Sequence, residues 1–266
     1  MDEGEGGAVW TQYGYTDGMS RILLCLHGWG GSKESFRELR DALKETDLLI
    51  LTPDLPGFGD EPEPDRPWSV DEYADWVEQW YKRQSDTSQQ PIALLGHSHG
   101  GRIAIKLAAR HSPLTTHNSP LLISHLYLCA AAGIHHPRVL RRSVGFLLAK
   151  IGALVFRIPG IRALEPQGKK VLYRLMRVHD YERASPIMRE TMRRVRNEDL
   201  TTHLSSITVP TDIFWGTDDT MTPLKDGRLM HRLIKGSHLH VFPGIRHRVH
   251  RDKAQDIASV IRSQVG

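Results

Sequence analysis

Pro91-Ile92-Ala93-Leu94-Leu95-Gly96-His97-Ser98-His99-Gly100-Gly101-Arg102-Ile103-Ala104-Ile105 decides how this chain is read. Residues 91–95 form a short apolar strand, and residues 100–111 carry helical spacing. The pentapeptide between them, Gly96 to Gly100, matches G-x-S-x-G in the strand–turn–helix context that motif requires. The physics is steric. A serine lifted out of a sheet edge needs a tight turn and sits in a strained backbone conformation. Its neighbours two residues away must therefore lack bulk. Gly96 and Gly100 supply that room, and Gly101 suits close packing of helix on strand. The competing reading is a chance glycine-rich turn.

Working outward, strand and helix alternate. Residues 21–27 read as a buried strand. A helix over 33–45 places Phe36, Leu39 and Leu43 on one face, with a capping box at Ser35 and Glu38 or a cap at Ser32. Residues 47–52 are apolar again, and the loop 53–67 is rich in Pro, Gly, Asp and Glu. A second capping box, Ser69 with Glu72, opens a helix to about Gln84. Its apolar side carries Val70, Tyr73, Val77, Trp80 and Tyr81, and Trp68, Trp76 and Trp80 fall at helical spacings that suit a core. Further strands are expected at 124–130, 211–215 and 238–242. A helix opened by Thr222-Pro223 and a final helix near 251–264 complete the pattern. Continuous apolar strands between amphipathic helices imply a mostly parallel sheet covered on both faces.

The alternation stops between about 134 and 205, where only helical signals occur. Residues 134–205 hold 15 Lys+Arg against 6 Asp+Glu, whereas residues 1–133 hold 11 against 19. A basic helical segment thus interrupts an acidic α/β frame. The expected organisation is a core of residues 1–133 and 206–266 with an inserted all-helical cap at 134–205. The basic face is read as solvated, or as an attractor for anionic substrates or an anionic membrane surface, giving at most weak membrane-surface association.

The remaining composition excludes several classes. With 266 residues, 39% hydrophobic and 25% charged, the chain can bury a substantial core and is neither disordered nor fibrous. A formal net charge of +4 is a poor argument for nucleic acid, and none is expected as partner. No apolar run approaches the roughly 20 residues needed to span a bilayer. The acidic start Met1-Asp2-Glu3-Gly4-Glu5 lacks an apolar signal region, and Cys25 and Cys129 read as buried, reduced thiols, so a cytoplasmic location is expected. His238 and His240 alternate on one strand, but no third ligand follows at a recognised spacing, so no metal and no cofactor are expected.

Three further stretches carry chemistry. His27-Gly28-Trp29-Gly30 ends an early strand, in a loop held open by Gly28, Gly30 and Gly31. A tetrahedral oxyanion needs two convergent backbone N–H donors. Trp29 and His99, the residue after the serine, are the candidates, although a glycine-rich strand-end turn explains the loop equally well. Asp218 and Asp219 follow a strand end in Trp215-Gly216-Thr217-Asp218-Asp219-Thr220-Met221-Thr222-Pro223, where a plain Asx turn is the competing reading. His247 follows the last strand in Phe242-Pro243-Gly244-Ile245-Arg246-His247, placed to reach the C-terminal edge of the sheet where ligands bind in open α/β folds. His250 is its rival.

From about residue 21 to 264 this ordered set resembles the α/β-hydrolase superfamily. The stretches that carry the likeness are His27–Gly30, Pro53-Asp54-Leu55-Pro56-Gly57-Phe58-Gly59, Gly96–Gly101, Trp215–Pro223 and Gly244–His247. The resemblance implies an α/β-hydrolase fold with Ser98 as nucleophile, Asp219 as acid and His247 as base. It also implies that residues 134–205 are the cap. Asp219 is preferred to Asp218 because it takes the motif's acid position. The side chains of His97 and His99 are assigned no part in the triad, and the Pro53–Gly59 loop suits a wall of the entrance. His27, Gly28, Phe146 and Leu147 are candidates for the substrate pocket. The expected activity is that of a serine carboxylesterase on small to medium acyl substrates, through an acyl-enzyme on Ser98. Two alternatives stand beside it: a C–C bond hydrolase of meta-cleavage type acting on anionic dienoates, and a non-catalytic ligand-binding receptor. The serine excludes relatives that place Asp at the turn. Natural substrate and oligomeric state are not legible.

Overall fold

The structure is a computed structural model that describes residues 22–84, 91–111, 121–136 and 184–265. Numbered among these, the strands are β1 (Ile22–Leu26), β2 (Leu49–Leu51), β3 (Ile92–His97), β4 (Ile123–Cys129), β5 (Thr211–Gly216) and β6 (His238–Phe242). The α-helices are α1 (Arg37–Leu43), α2 (Val70–Lys82), α3 (His99–Arg110), α4 (Pro186–Asn197), α5 (Thr201–Leu204), α6 (Leu224–Leu233), α7 (Val249–Asp252) and α8 (Ala254–Val265).

The strands form one sheet in the order β2-β1-β3-β4-β5-β6, and every pairing is parallel. All residues of β1, β3 and β5 are buried, so side chains of both parities meet protein and the sheet is covered on both faces. On one side α1 packs with α8 and α7. On the other, α2 packs with α3, α3 with α5, and α5 with α6. Buried leucines, isoleucines and alanines of the inner strands and of α3 fill a single hydrophobic core. Each fully buried Leu or Ile contributes roughly 1.5–3 kcal/mol relative to exposure. Among the described residues β2 and β6 are the edges, and their burial is incomplete.

The chain goes from β1 outward to β2 and then returns past β1 to β3. The strand order therefore reverses between β1 and β3, the position at whose carboxyl edge ligands bind in open α/β sheets. The loop of Gly28–Gly31 and the turn at Ser98 both lie at this point.

Local details differ from the sequence expectations for identifiable reasons. The helix expected over 33–45 begins as a 3-10 turn, Lys33–Phe36, and of its two candidate caps Ser32 is the one used. The Ser32 oxygen accepts from Glu34 N–H, and Ser35 Oγ accepts from Ser32 N–H. Glu38 is not free to close a box there, because it takes a forked ion pair from Arg251 that fastens α1 to α7. The box of Ser69 with Glu72 forms as expected and opens α2. The final helix divides at Lys253 into α7 and α8.

Between β4 and β5 the described residues contain helices and no strand. Residues 137–183, with Phe146 and Leu147, lie outside the described residues. The returning end of this segment is built into the frame. Val195, Leu200 and Leu204 belong to the main core, Leu200 N–H donates to Gly133 O at 2.8 Å, and Lys106 Nζ lies 2.7 Å from Glu198. α4 braces the acidic loop, since Thr191 Oγ1 accepts from Trp68 N–H and Arg194 donates to Pro67 O. No helix among the described residues is long and apolar enough to cross a membrane.

Histidine is prominent in the core. Asp212 on β5 sits between His125 of β4 and His240 of β6, accepting from both at 2.8 and 2.6 Å. These groups are spent on one another as a clamp across three strands, and among the described residues no set of three or more His, Cys, Asp or Glu is arranged to hold a metal ion. Cys25 and Cys129 are buried free thiols, pushed up by burial away from thiolate formation. His97, His99 and His250 are buried as neutral rings. Burial is the main cause, and it drives His99 and His250 down to about 3 and His97 well below the usual range.

The consequence for stability has a definite sign. The unfolded histidines bind protons at about pH 6.5 while the folded ones do not, so stability is lost as pH falls from about 6.5 toward 3. Urea midpoints are expected to fall between pH 7.5 and 5, each such histidine contributing a slope of up to about 1.4 kcal/mol per pH unit. His250→Phe is expected to flatten that slope, and a midpoint independent of pH over this interval contradicts the assignment. A second expectation follows from close packing. A Cβ at Gly100 collides with the main-chain carbonyls of Leu26 and His27, which have no flexible end to move. Gly100→Ala is expected to lower stability by about 3 kcal/mol, at the upper end for overpacking, read as a drop in the urea midpoint.

Candidate active site

Ser98 leaves β3 with φ 51° and ψ −110°, a region that residues with a Cβ avoid at a cost of about 1–3 kcal/mol. Three groups hold it there. Its N–H donates to Cys129 O at 3.2 Å, and its carbonyl accepts from Ala132 N–H at 2.9 Å and Arg102 N–H at 3.3 Å. The residues just past β4 thereby grip the serine from the neighbouring strand. A Cβ at Gly96 would lie 2.6 Å from Gly100 O and 2.8 Å from the Ala104 methyl, and one at Gly101 would lie 2.5 Å from the Ala131 methyl. The three glycines therefore let α3 start directly over the strand.

His247, in the turn after β6, brings Nε2 to 3.0 Å from Ser98 Oγ, while Nδ1 lies 2.7 Å from Asp219 Oδ2. That geometry assigns Nδ1–H as donor to the carboxylate and leaves Nε2 to accept from the serine hydroxyl. Asp219 is buried after β5, and its Oδ1 accepts from the N–H groups of Met221 and Thr222 at 2.7 and 3.0 Å. Thr222 Oγ1 adds a contact to Oδ2 at 2.8 Å. Burial alone would raise the Asp219 carboxyl, but the His247 and Thr222 bonds outweigh it and hold the group below the usual carboxylate range. Asp218 is exposed and is engaged by the Thr217 hydroxyl.

The loop after β1 lies against the serine. A Cβ at Gly28 would lie 3.2 Å from Ser98 Cβ and 2.8 Å from His97 Nδ1, so only glycine lets this loop approach. Gly31 N–H closes the turn onto Gly28 O at 2.9 Å, and Gly30 takes φ +73°. Among the described residues no acceptor takes the backbone N–H of Trp29 or of His99. The Trp29 ring packs edge-on to Phe58 and His99, with centroids 4.9 and 5.4 Å away, and Tyr73 meets His99 at 4.8 Å. The His99 ring is buried in this aromatic box with neither nitrogen hydrogen-bonded.

The structure brings Ser98, Asp219, His247, Trp29, His99 and Gly28 to one edge of the sheet. His27 is a different matter. It was expected to line the pocket, but it is fully buried and both ring nitrogens serve the backbone. Nδ1–H donates to Gly28 O at 2.8 Å, and Nε2 accepts from Leu55 N–H at 3.0 Å. It is a brace that fixes the Pro53–Gly59 loop to β1. Phe146 and Leu147, the other pocket candidates, lie outside the described residues.

Three contributors escaped sequence reasoning. His97 Nε2 donates to the carbonyl of His247 at 3.0 Å, fixing the backbone of that turn. His250 packs on His97 at 3.8 Å between centroids, tilted by 34°, and donates to the backbone of Ser35, so it is a support beside His247. Thr222 looked only like a helix opener, yet its hydroxyl meets Asp219. Nothing in spacing distinguishes these roles; only the folding of distant loops onto one edge creates them.

The comparisons with known proteins agree with this architecture. Residues 23–260 match the model of the alpha/beta hydrolase family. A pimeloyl-[acyl-carrier protein] methyl ester esterase of Neisseria meningitidis is 29% identical over 256 residues, covering 94% of both chains. A protein of Bacillus subtilis named as a member of the AB hydrolase superfamily is 27% identical, covering 92% of this chain and 91% of its own. Among solved structures, an esterase from Exiguobacterium antarcticum superposes with a TM-score of 0.67 at 23% identity, covering 94% of this chain and 93% of its own, a likeness of fold. With the family model spanning nearly all of the described frame, the chain belongs to the alpha/beta hydrolase family.

Proposed function

We propose that the chain hydrolyses carboxylic esters through an acyl-enzyme on Ser98. The observation that carries this reading is the unbroken hydrogen-bonded line Ser98 Oγ–His247–Asp219, beside two backbone N–H groups with no acceptor among the described residues.

The steps follow from that geometry. Ser98 Oγ attacks the ester carbonyl while its proton passes to His247 Nε2, and Asp219 stabilises the resulting imidazolium without taking its proton. The carbonyl oxygen gains charge, which the N–H groups of Trp29 and His99 stabilise. The C–O bond to the alcohol breaks, and the alcohol leaves with the proton from His247. Water then attacks the acyl-enzyme, giving one proton to His247, which returns it to Ser98 as the carboxylic acid departs. The low basicity of Asp219 keeps its charge in place throughout, and the neutral rings of His97, His99 and His250 add no competing positive charge beside His247.

The nature of the relatives supports an ester with a small alcohol and a small or medium acyl chain. The curated relatives in Neisseria meningitidis are named for cleaving a methyl ester from an acyl group on a carrier protein. Residues 134–205, which we assign as the cap, hold 15 Lys+Arg against 6 Asp+Glu, a charge that would favour an anionic substrate. A purely ligand-binding role requires none of the strain held at Ser98 or the alignment of His247.

Two measurements test this reading. Wild-type protein is expected to hydrolyse p-nitrophenyl esters of graded chain length, and Ser98→Ala to lower kcat by about 10⁴-fold or more with the fold intact. Preference for a dienoate with a scissile C–C bond over every ester contradicts the ester assignment, and absence of turnover by folded wild type contradicts catalysis of this kind. Asp219→Asn is expected to lower kcat by about 10³–10⁴-fold, because the amide can leave His247 in the wrong tautomer. Asp218→Asn is expected to leave kcat within about twofold, since its exposed carboxylate serves only a local turn; equal losses in the two variants contradict the assignment of Asp219.

A further inference from the structure

We propose that Thr222 is a positioning residue that couples the grip on the serine to the carboxylate that orients His247; the inference rests on the reading of Ser98, His247 and Asp219 given above. The Thr222 hydroxyl lies 3.1 Å from Ala130 O, 2.8 Å from Asp219 Oδ2 and 3.2 Å from His247 Nδ1. Its backbone is engaged as well: N–H donates to Asp219 Oδ1 at 3.0 Å, and the carbonyl accepts from Trp215 Nε1 at 2.8 Å. The side chain is therefore held by its own main chain, at a buried point where three parts of the site meet.

Ala130 is the informative partner. It takes φ 45°, one of two non-glycine residues with positive φ among the described residues, and the other is Ser98. It lies between Cys129, whose carbonyl accepts the Ser98 N–H, and Ala132, whose N–H donates to the Ser98 carbonyl. The two strained residues thus belong to one bonded unit. The Ala130 N–H is fixed by Phe214 O at 2.9 Å, and its carbonyl is met by Thr222. One hydroxyl consequently bridges the turn that holds the nucleophile and the loop that carries the acid. Without it, the two loops share a site but lack this direct side-chain tie.

The single hydroxyl proton sits between a neutral and a charged acceptor. The carboxylate is the nearer and the stronger acceptor, so the proton favours Asp219 Oδ2 and the contact to Ala130 O is the lesser branch of a shared bond. Asp219 then receives four donors, two on each oxygen. This saturation lowers the basicity of Oδ2 and so moderates how strongly the carboxylate stabilises protonated His247. Loss of the hydroxyl has two consequences. It loosens the spacing between Ser98 and His247, and it leaves Oδ2 with one donor fewer, favouring imidazolium and moving the acid limb of the pH–rate profile upward.

The test compares wild type, Thr222→Val, Thr222→Ala and Thr222→Ser. It reads the pH dependence of Ser98 labelling by a fluorophosphonate, checked by peptide mass, and of p-nitrophenyl acetate hydrolysis. Thr222→Val and Thr222→Ala are expected to label about tenfold more slowly at pH 7, with the acid limb displaced upward by about half a pH unit and KM little changed. Thr222→Ser is expected to restore both rate and limb to within about twofold of wild type. Should Thr222→Val fail to fold, Thr222→Ala carries the same comparison. An unmoved limb in a folded variant lacking the hydroxyl, or failure of Thr222→Ser to restore it, overturns the positioning role. Wild-type protein that does not label at Ser98 overturns the underlying hydrolase reading instead, so the two failures are told apart.

Discussion

The strained backbone of Ser98 is the constraint on which the site depends. A parallel strand feeding directly into a helix needs an abrupt reversal, and a residue with a side chain pays for it at φ 51°. The conformation persists because its surroundings leave no alternative. Cys129 O and Ala132 N–H clasp the Ser98 peptide groups, and glycine contacts set α3 close against β1 and β3. Relaxing the turn would break bonds in the neighbouring strand and separate packed backbone. β1 and β3 flank the point where strand order reverses, and there the Gly28 loop lies directly against the strained serine.

Around this point the protein combines low dielectric with carefully retained charge. His97, His99 and His250 stay neutral because burial makes their protonation costly, and all three act through packing or a single backbone bond. Asp219 stays ionised although burial opposes it, since every lone-pair direction finds a donor. The contrast gives the site one fixed negative charge and one imidazole directed at the serine hydroxyl. A similar device operates at Asp212, where two histidines satisfy a buried carboxylate and tie three strands together, far in sequence from the serine.

Much of this was legible in the sequence because the chemistry demands local patterns. The strand–glycine–serine–glycine–helix order needs steric room that only particular residues provide, and the continuous apolar runs at 22–26, 92–95 and 126–129 require a sheet buried on both sides. Other features were hidden because they arise from tertiary choice. Glu38 abandons a local capping box for Arg251, and His27 gives its ring to the main chain of Leu55. Thr222 meets Ala130 across 92 residues of sequence. Charge and helical spacing likewise gave no sign that Val195, Leu200 and Leu204 belong to the main core.

The central claim is that an ester's acyl group is carried covalently on Ser98. It is tested most directly by quenching the protein in acid during turnover of an isotopically labelled p-nitrophenyl acetate and mapping the label by peptide mass spectrometry. The account predicts label on the peptide containing Ser98 at a level that rises and decays with substrate consumption. Turnover with no label on that peptide, or label confined to another residue, contradicts it.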